Sequence, residues 1–252
     1  MFQSAAHTFA LQLHRSYEMI ILFGRFIGAL ICIFGQPIHA LLSLLIKSSD
    51  PGPALYRSSR LGKNGVPFTL LKYRTMKVNA PPIVTTSFKK IVAETDPRVT
   101  RFGRWLRIGI DELPQIWNIV CGEMAWVGPR PDEAWMLPNY GPLSRRRLSL
   151  LPGITGFAQV LNSRNLSTAE AYALDLWYLE HRGFWLDSWI ILVTPLFMGG
   201  WKTVGSNWLK HLHRSGELDD FFQICESELS SANIQKASPR TSASGSVEWE
   251  NV

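Results

Sequence analysis

Asp111 and Glu112 are adjacent carboxylates in the run Ile110-Asp111-Glu112-Leu113-Pro114-Gln115-Ile116-Trp117-Asn118, and Val127-Gly128-Pro129-Arg130-Pro131 follows closely. Pro114 fits the first turn of a helix, because it has no N–H and its ring blocks a preceding turn. The pattern predicts Asp111 at or near an N-cap, with Leu113, Ile116, Trp117 and Val120 as the buried stripe behind it. A helix start carries partial positive charge and unpaired N–H groups, so it keeps carboxylates ionised and attracts phosphate. Two carboxylates there can act as a nucleophile and as a ligand for a hard cation beside a phosphoryl group. The plainer alternative is an ordinary Asp cap followed by an exposed Glu. The rest of the chain decides between them.

Composition sets the surroundings. The chain has 252 residues, 46% hydrophobic and only 18% charged, with ten Trp and thirteen Phe. That length suits one domain with appendages, and the aromatic, apolar balance suggests a membrane neighbour. A net charge of +6 and a pI near 9.4 imply an anionic partner: phospholipid headgroups or a nucleotide. Nucleic acid is disfavoured, since the basic residues lie beside apolar runs and no nucleic-acid motif occurs. Cys32, Cys121 and Cys225 are odd in number and far apart. They form neither a disulfide framework nor a zinc site, and they fit a reducing compartment.

Four segments follow from these patterns: an N-terminal stretch 1–18, a membrane helix 19–47, a catalytic domain 48–204 and a C-terminal extension 205–252, polar and disordered from about Ser227. The membrane helix is long enough to cross a bilayer, yet Pro37 should kink it midway. Arg15 and Arg25 flank one end, and Lys47, Arg57, Arg60 and Lys63 the other. The positive-inside rule puts both flanks on the cytoplasmic side. A helix that enters, bends at Pro37 and returns satisfies both observations; a simple span is the alternative.

Beyond Asp50-Pro51-Gly52-Pro53, residues 68–73 read as a strand and Pro81-Pro82 as a loop. A short basic helix leads from Asp96 through Arg107 into the acid pair. Arg145-Arg146-Arg147 reads as a solvated face, with headgroup binding as the rival. Pro152 to Gly156 is a glycine-rich turn before a strand Ala158-Gln159-Val160. Ser167 and Glu170 form a capping box for a helix through Glu180. Residues 184–204 are apolar and rich in Trp, and read as amphipathic helices at a membrane interface or as a core helix.

These motifs in this order resemble a known family. Asp50-Pro51-Gly52-Pro53, Arg60-Leu61-Gly62-Lys63, Lys72-Tyr73-Arg74-Thr75-Met76, Asp96-Pro97-Arg98-Val99-Thr100, the Asp-Glu-Leu-Pro-Gln run, Gly128-Pro129-Arg130-Pro131 and Pro152-Gly153-Ile154-Thr155-Gly156 are similar to those of the bacterial sugar transferases, monotopic polyprenyl-phosphate sugar-1-phosphate transferases. The likeness runs from about Arg15 to Lys202. It implies that Asp111 is the nucleophile that takes a sugar phosphate from a nucleotide sugar, and that Glu112 helps to hold Mg²⁺, a cation that suits few carboxylates plus phosphate oxygens. Lys72, Arg74, Arg107 and Arg130, the last framed by Pro129 and Pro131, would bind substrate charge. Pro37 would be the bend of a re-entrant helix. Where the family commonly has Ser before the bend, this chain has Gln36. Ala125 and Trp126 replace Ser and Leu, which suggests altered specificity.

The expectation is a helix-rich α/β, membrane-associated enzyme at the bacterial inner membrane, its catalytic domain on the cytoplasmic face. It would move sugar-1-phosphate from a nucleotide sugar, a UDP-sugar by preference, to undecaprenyl phosphate, starting an exopolysaccharide, O-antigen or other lipid-linked glycan. A metal-dependent diphosphate hydrolase and a catalytically silent membrane scaffold are the rivals. Membrane phospholipid is an expected partner, nucleic acid is not, and a homo-oligomer is left open.

Overall fold

The computed structural model describes residues 2–80, 96–161, 166–198 and 203–231, with residues 2–16 and 203–207 as backbone alone. Helix α1 (Phe2–Phe34) contains a segment, Tyr17–Phe34, long and apolar enough to cross a membrane. Only 11% of that window is buried, so its apolar side chains are not the protein's own core. The helix stops at Gly35, and α2 (Gln36–Ser49) begins with Pro37 in its first turn, where the missing N–H breaks no intrahelical bond. Gln36 Nε2 donates to the Cys32 carbonyl at 2.8 Å, satisfying an acceptor beside the break. The expected kink is therefore realised as two helices meeting at a short interruption.

An antiparallel hairpin follows, β1 (Leu55–Leu61) with β2 (Pro67–Tyr73), Leu55 opposite Tyr73 and Leu61 opposite Pro67. The sequence foretold β2 and not β1, because Tyr56-Arg57-Ser58-Ser59-Arg60 has no apolar alternation to show. Helix α3 (Arg101–Leu106) is capped by Thr100, whose Oγ1 accepts the Gly103 N–H at 2.9 Å. Then come α4 (Gln115–Cys121), β3 (Ala125–Val127), α5 (Pro142–Arg145) and β4 (Gly153–Thr155), which pairs in parallel with β3. Helices α6 (Phe157–Val160), α7 (Thr168–His181), α8 (Phe184–Met198), α9 (Thr203–Ser215) and α10 (Asp219–Ser231) complete the described chain. The helix-rich α/β expectation holds, on two sheets of two strands each among the described residues.

Two expectations need correction. The strand is Gly153–Thr155, and Ala158–Val160 lies in α6. The glycines do not turn ahead of the strand; they form its approach to β3. The polar tail is helical through Ser231: Cys225 is fully buried, and Glu228 accepts from Leu143 N at 2.7 Å, Ser144 N at 2.9 Å and Ser144 Oγ at 2.5 Å. By contrast, the Ser167–Glu170 capping box is present and starts α7. Pro81-Pro82 lies outside the described residues.

Packing ties these elements together. Phe157, Leu161, Leu174, Trp177, Tyr178, Ile190 and Leu212 form one core among α6, α7, α8 and α9. Leu42 and Ile46 of α2 pack with Tyr73 and Leu106, so the membrane-proximal helix shares a core with β2 and α3. Trp105, Ile108, Trp117, Trp185, Leu192 and Leu196 stay exposed.

Candidate active site

The acid pair sits where α3 gives way to α4. Gly109 has φ +118°, which costs other residues a steric penalty, and it swings the chain into a 3₁₀ turn, Ile110–Glu112. Asp111 is thus inside that turn rather than at an N-cap, and Pro114 sits one residue before α4. The buried face of α4 is Gln115, Ile116, Asn118 and Ile119, while Trp117 is 54% exposed, contrary to the predicted stripe. Asn118 takes the inward position against β2, and Trp117, about 100° round the helix from it, turns outward. Met198 of α8 closes over Gly109.

Lys72 arrives from β2. Buried Asn118 fastens α4 to that strand, accepting the Leu71 N–H at 3.1 Å and donating to the Thr69 carbonyl at 2.8 Å. With the two elements locked, Lys72 Nζ lies 2.6 Å from Glu112 Oε1. Arg130 Nη2 approaches the same oxygen at 3.4 Å. Burial pushes the Glu112 carboxyl up, but the Arg130 and Lys72 charges outweigh it and bring it below its ordinary value. Asp111 goes the other way. Burial raises it, the neighbouring Glu112 charge adds to the rise, and Lys72 and Arg107 oppose it. A raised carboxyl is more basic, and so a better nucleophile, than an ordinary Asp. Lys72 is lowered by burial against the pull of Glu112.

The remaining candidates divide. Arg107 donates from Nε to Thr75 Oγ1 at 3.2 Å and faces Asp111 electrostatically. Arg74 does not join the pair: its Nη1 lies 2.6 Å from Asp50 Oδ2, and Nη2 binds the Asp50 carbonyl. It clamps the turn leaving α2 instead. The Pro129-Arg130-Pro131 segment is held by its carbonyls. Gly153 N donates to Pro129 at 3.0 Å, Arg60 Nη1 to Pro131 at 3.4 Å and Arg147 Nη2 to Arg130 at 3.0 Å.

Arg147 was expected on a solvated face and is instead 3% exposed. It pairs with Asp175 and Asp132, each at 2.6 Å, and lies over the Tyr172 ring. A cation buried this deeply needs such partners. Its role, like that of Asn118, depends on contacts between residues distant in sequence, and no local pattern signals it. Pro37 lies in α2, whose His39 hydrogen-bonds the Tyr73 hydroxyl next to Lys72.

A hard cation fits this donor set. Both cations on Glu112 bond to Oε1, so Oε2 is the oxygen that could take a cation, and Asp111 is adjacent in the chain. Among the described residues no His, Cys, Asp and Glu group forms a closed metal cage, and Mg²⁺ seldom uses one when phosphate oxygens complete its shell.

Fold and site together define a membrane-associated protein with a partly buried acid pair faced by cations, suited to displacement at an anionic phosphorus. A family model described as bacterial sugar transferase matches residues 17–199, and the chain belongs to that family. It is 37% identical over 182 residues to the galactosyl transferase CpsE of Streptococcus agalactiae serotype III, covering 68% of this chain and 39% of that protein. It is 37% identical over 186 residues to a UDP-glucose:undecaprenyl-phosphate glucose-1-phosphate transferase of Xanthomonas campestris pv. campestris, covering 69% of this chain and 38% of that one. The exopolysaccharide production protein ExoY of Sinorhizobium fredii is 35% identical over 192 residues, or 71% of this chain and 82% of the relative. The chain thus spans under two fifths of the length of the first two.

Proposed function

We propose that this chain transfers sugar-1-phosphate from a nucleotide sugar, by preference a UDP-sugar, to undecaprenyl phosphate, and so begins a lipid-linked glycan such as an exopolysaccharide. The observation that carries this reading is the pairing of a raised Asp111 with a Glu112 held ionised by Lys72 and Arg130. An Asp111 carboxylate oxygen attacks the phosphorus that bears the sugar. The bond from that phosphorus to the nucleoside monophosphate breaks, and the monophosphate leaves with the electron pair. A phosphate oxygen of the lipid then attacks the same phosphorus and displaces Asp111, giving the lipid diphosphate sugar. Lys72, Arg107 and Arg130 counter the charge that builds on the transferred group. Mg²⁺ bound at Glu112 would supply neutralisation of the donor diphosphate.

The setting is also part of the proposal. A re-entrant α1–α2 pair would keep both flanks on the cytoplasmic face of the inner membrane, and the exposed Trp185, Leu192 and Leu196 of α8 would lie at headgroup level.

A panel of nucleotide sugars with undecaprenyl phosphate, with and without Mg²⁺, tests the reading through nucleoside monophosphate release and lipid product. Transfer with one or a few sugars, lost on chelation and restored by Mg²⁺, is expected. Monophosphate release with no lipid product would instead make the chain a hydrolase, and no turnover at all a scaffold.

A further inference from the structure

The first helix holds more of the catalytic domain than an anchor requires. Arg25 lies within the apolar segment Tyr17–Phe34, where a cation is costly unless it finds a partner. Its Nε donates to the Val120 carbonyl at 3.1 Å, in the last turn of α4. That carbonyl is one of the orphans of a helix end, and a cation suits it. Gly122 makes room: it ends α4 at φ +82°, and a Cβ there would meet the Arg25 guanidinium at 3.2 Å.

At the preceding residue of α1, Trp126 of β3 donates its ring N–H to the Gly24 carbonyl at 3.0 Å. A side chain at Gly24 would meet the Trp126 ring at 2.8 Å, and one at Gly28 would meet Val120 at 3.3 Å. Small residues at this spacing let a neighbour approach the helix backbone closely. Trp126, where the chain departs from the Leu common in the family, therefore touches α1.

We propose that Arg25 and Trp126 are positioning residues that index the catalytic turn to a fixed depth in the bilayer, so that the phosphate of a membrane-bound acceptor meets Asp111. Arg25 grips the far end of α4, whose near end follows the acid pair directly. Trp126 grips the strand between α4 and the Pro129-Arg130-Pro131 segment. Both contacts are made to α1, so the depth of α1 sets the height of the site. This inference rests on the transferase reading. It adds that the acceptor step depends on α1 and the water-soluble donor step does not.

The test compares Arg25→Met, Trp126→Phe and the double variant with the unaltered chain, in phospholipid vesicles and in detergent micelles. A micelle imposes no fixed plane on the acceptor. The acceptor KM in vesicles should rise roughly five-fold for each lost hydrogen bond, with the donor KM unchanged and micelle activity within about two-fold. Arg25→Lys, which keeps the charge at the end of α4, should recover most of the loss. An unchanged vesicle KM in the double variant would overturn the proposal, as would equal losses for donor and acceptor in both media. A second readout needs no turnover. A fluorophore on Arg104→Cys, in a background without the native cysteines, should change its quenching by nitroxide-labelled phospholipids when Arg25 and Trp126 are replaced. An unaltered quenching profile would also refute the indexing. Failure of the transferase reading itself would appear differently, as no lipid product from the unaltered chain.

Discussion

Asp111 and Glu112 are neighbours in the chain and opposites in their electrostatics, and substitution should separate their roles. Asp111→Asn keeps the shape and removes the nucleophilic charge, so transfer should fall roughly 10³-fold or more. Glu112→Gln should cost on the order of 10²-fold, since it weakens charge placement rather than bond formation. Near-normal turnover of the Asn variant, with deamidation excluded by mass, would end the covalent mechanism. Lys72 and Arg74 form a second contrast. Lys72→Met should cut kcat/KM about 10²-fold, because it removes the nearer of two cations on Glu112, with a smaller loss of stability because Arg130 still partners that carboxylate. Arg74→Met should lower stability by roughly 2 kcal/mol, because Asp50 loses both guanidinium bonds and keeps only the Val78 N–H, and reduce activity only through unfolding. A thermal melt beside a kinetic assay tells the two apart. At this scale the acid pair was legible, since it is a contiguous run in an ordered set of motifs. Asn118 and Arg147 were not. Asn118 acts on the backbone of Thr69 and Leu71, and Arg147 on Arg130, Asp132 and Asp175; Arg147 also shares its local pattern with Arg145 and Arg146, which stay exposed.

Among the elements, α7 was legible because its capping box is written in consecutive residues. Helix α10 was hidden by its many Ser and Glu residues, although Phe221, Phe222, Cys225 and Leu229 already recur on one helical face. β4 is three residues long, too short for alternation to appear. The docking of α10 rests on Glu228, whose carboxylate accepts from both N–H groups at the start of α5 and from the Ser144 hydroxyl. Burial raises this carboxyl, but those hydrogen bonds win and hold it below its ordinary 4.5. The sign follows: its contribution is fully present above pH 4.5 and is lost as pH falls through the lower folded value. Glu228→Ala should loosen α10 by about 2 kcal/mol, or roughly 30-fold in local opening. The rate at which a thiol reagent reaches buried Cys225, in a Cys121→Ser background, measures that opening. An unchanged rate would mean that the apolar face alone holds the helix.

For the whole molecule the question is which side of the membrane each flank occupies. If α1 and α2 enter and return, cysteines placed at Ser4 and at exposed Ser59, in a variant lacking the native three, should both resist an impermeant thiol reagent in intact cells. Both should react once the membrane is opened. Pro37→Leu restores a backbone donor and should favour one continuous span, exposing position 4 alone. Labelling of position 4 from outside without that change would make α1 a true crossing and leave the chemistry at Asp111 untouched. The clamp between Arg74 and Asp50, with the nearby hydrogen bond of His39 to Tyr73, also orders events during synthesis. The helix pair leaves the ribosome before β2 does, and chains form structure in that order. Its partners Tyr73 and Arg74 do not yet exist at that point. If the helix pair inserts as proposed, it is the template on which the rest of the chain assembles, and a chain that misses the membrane begins folding without its first surface.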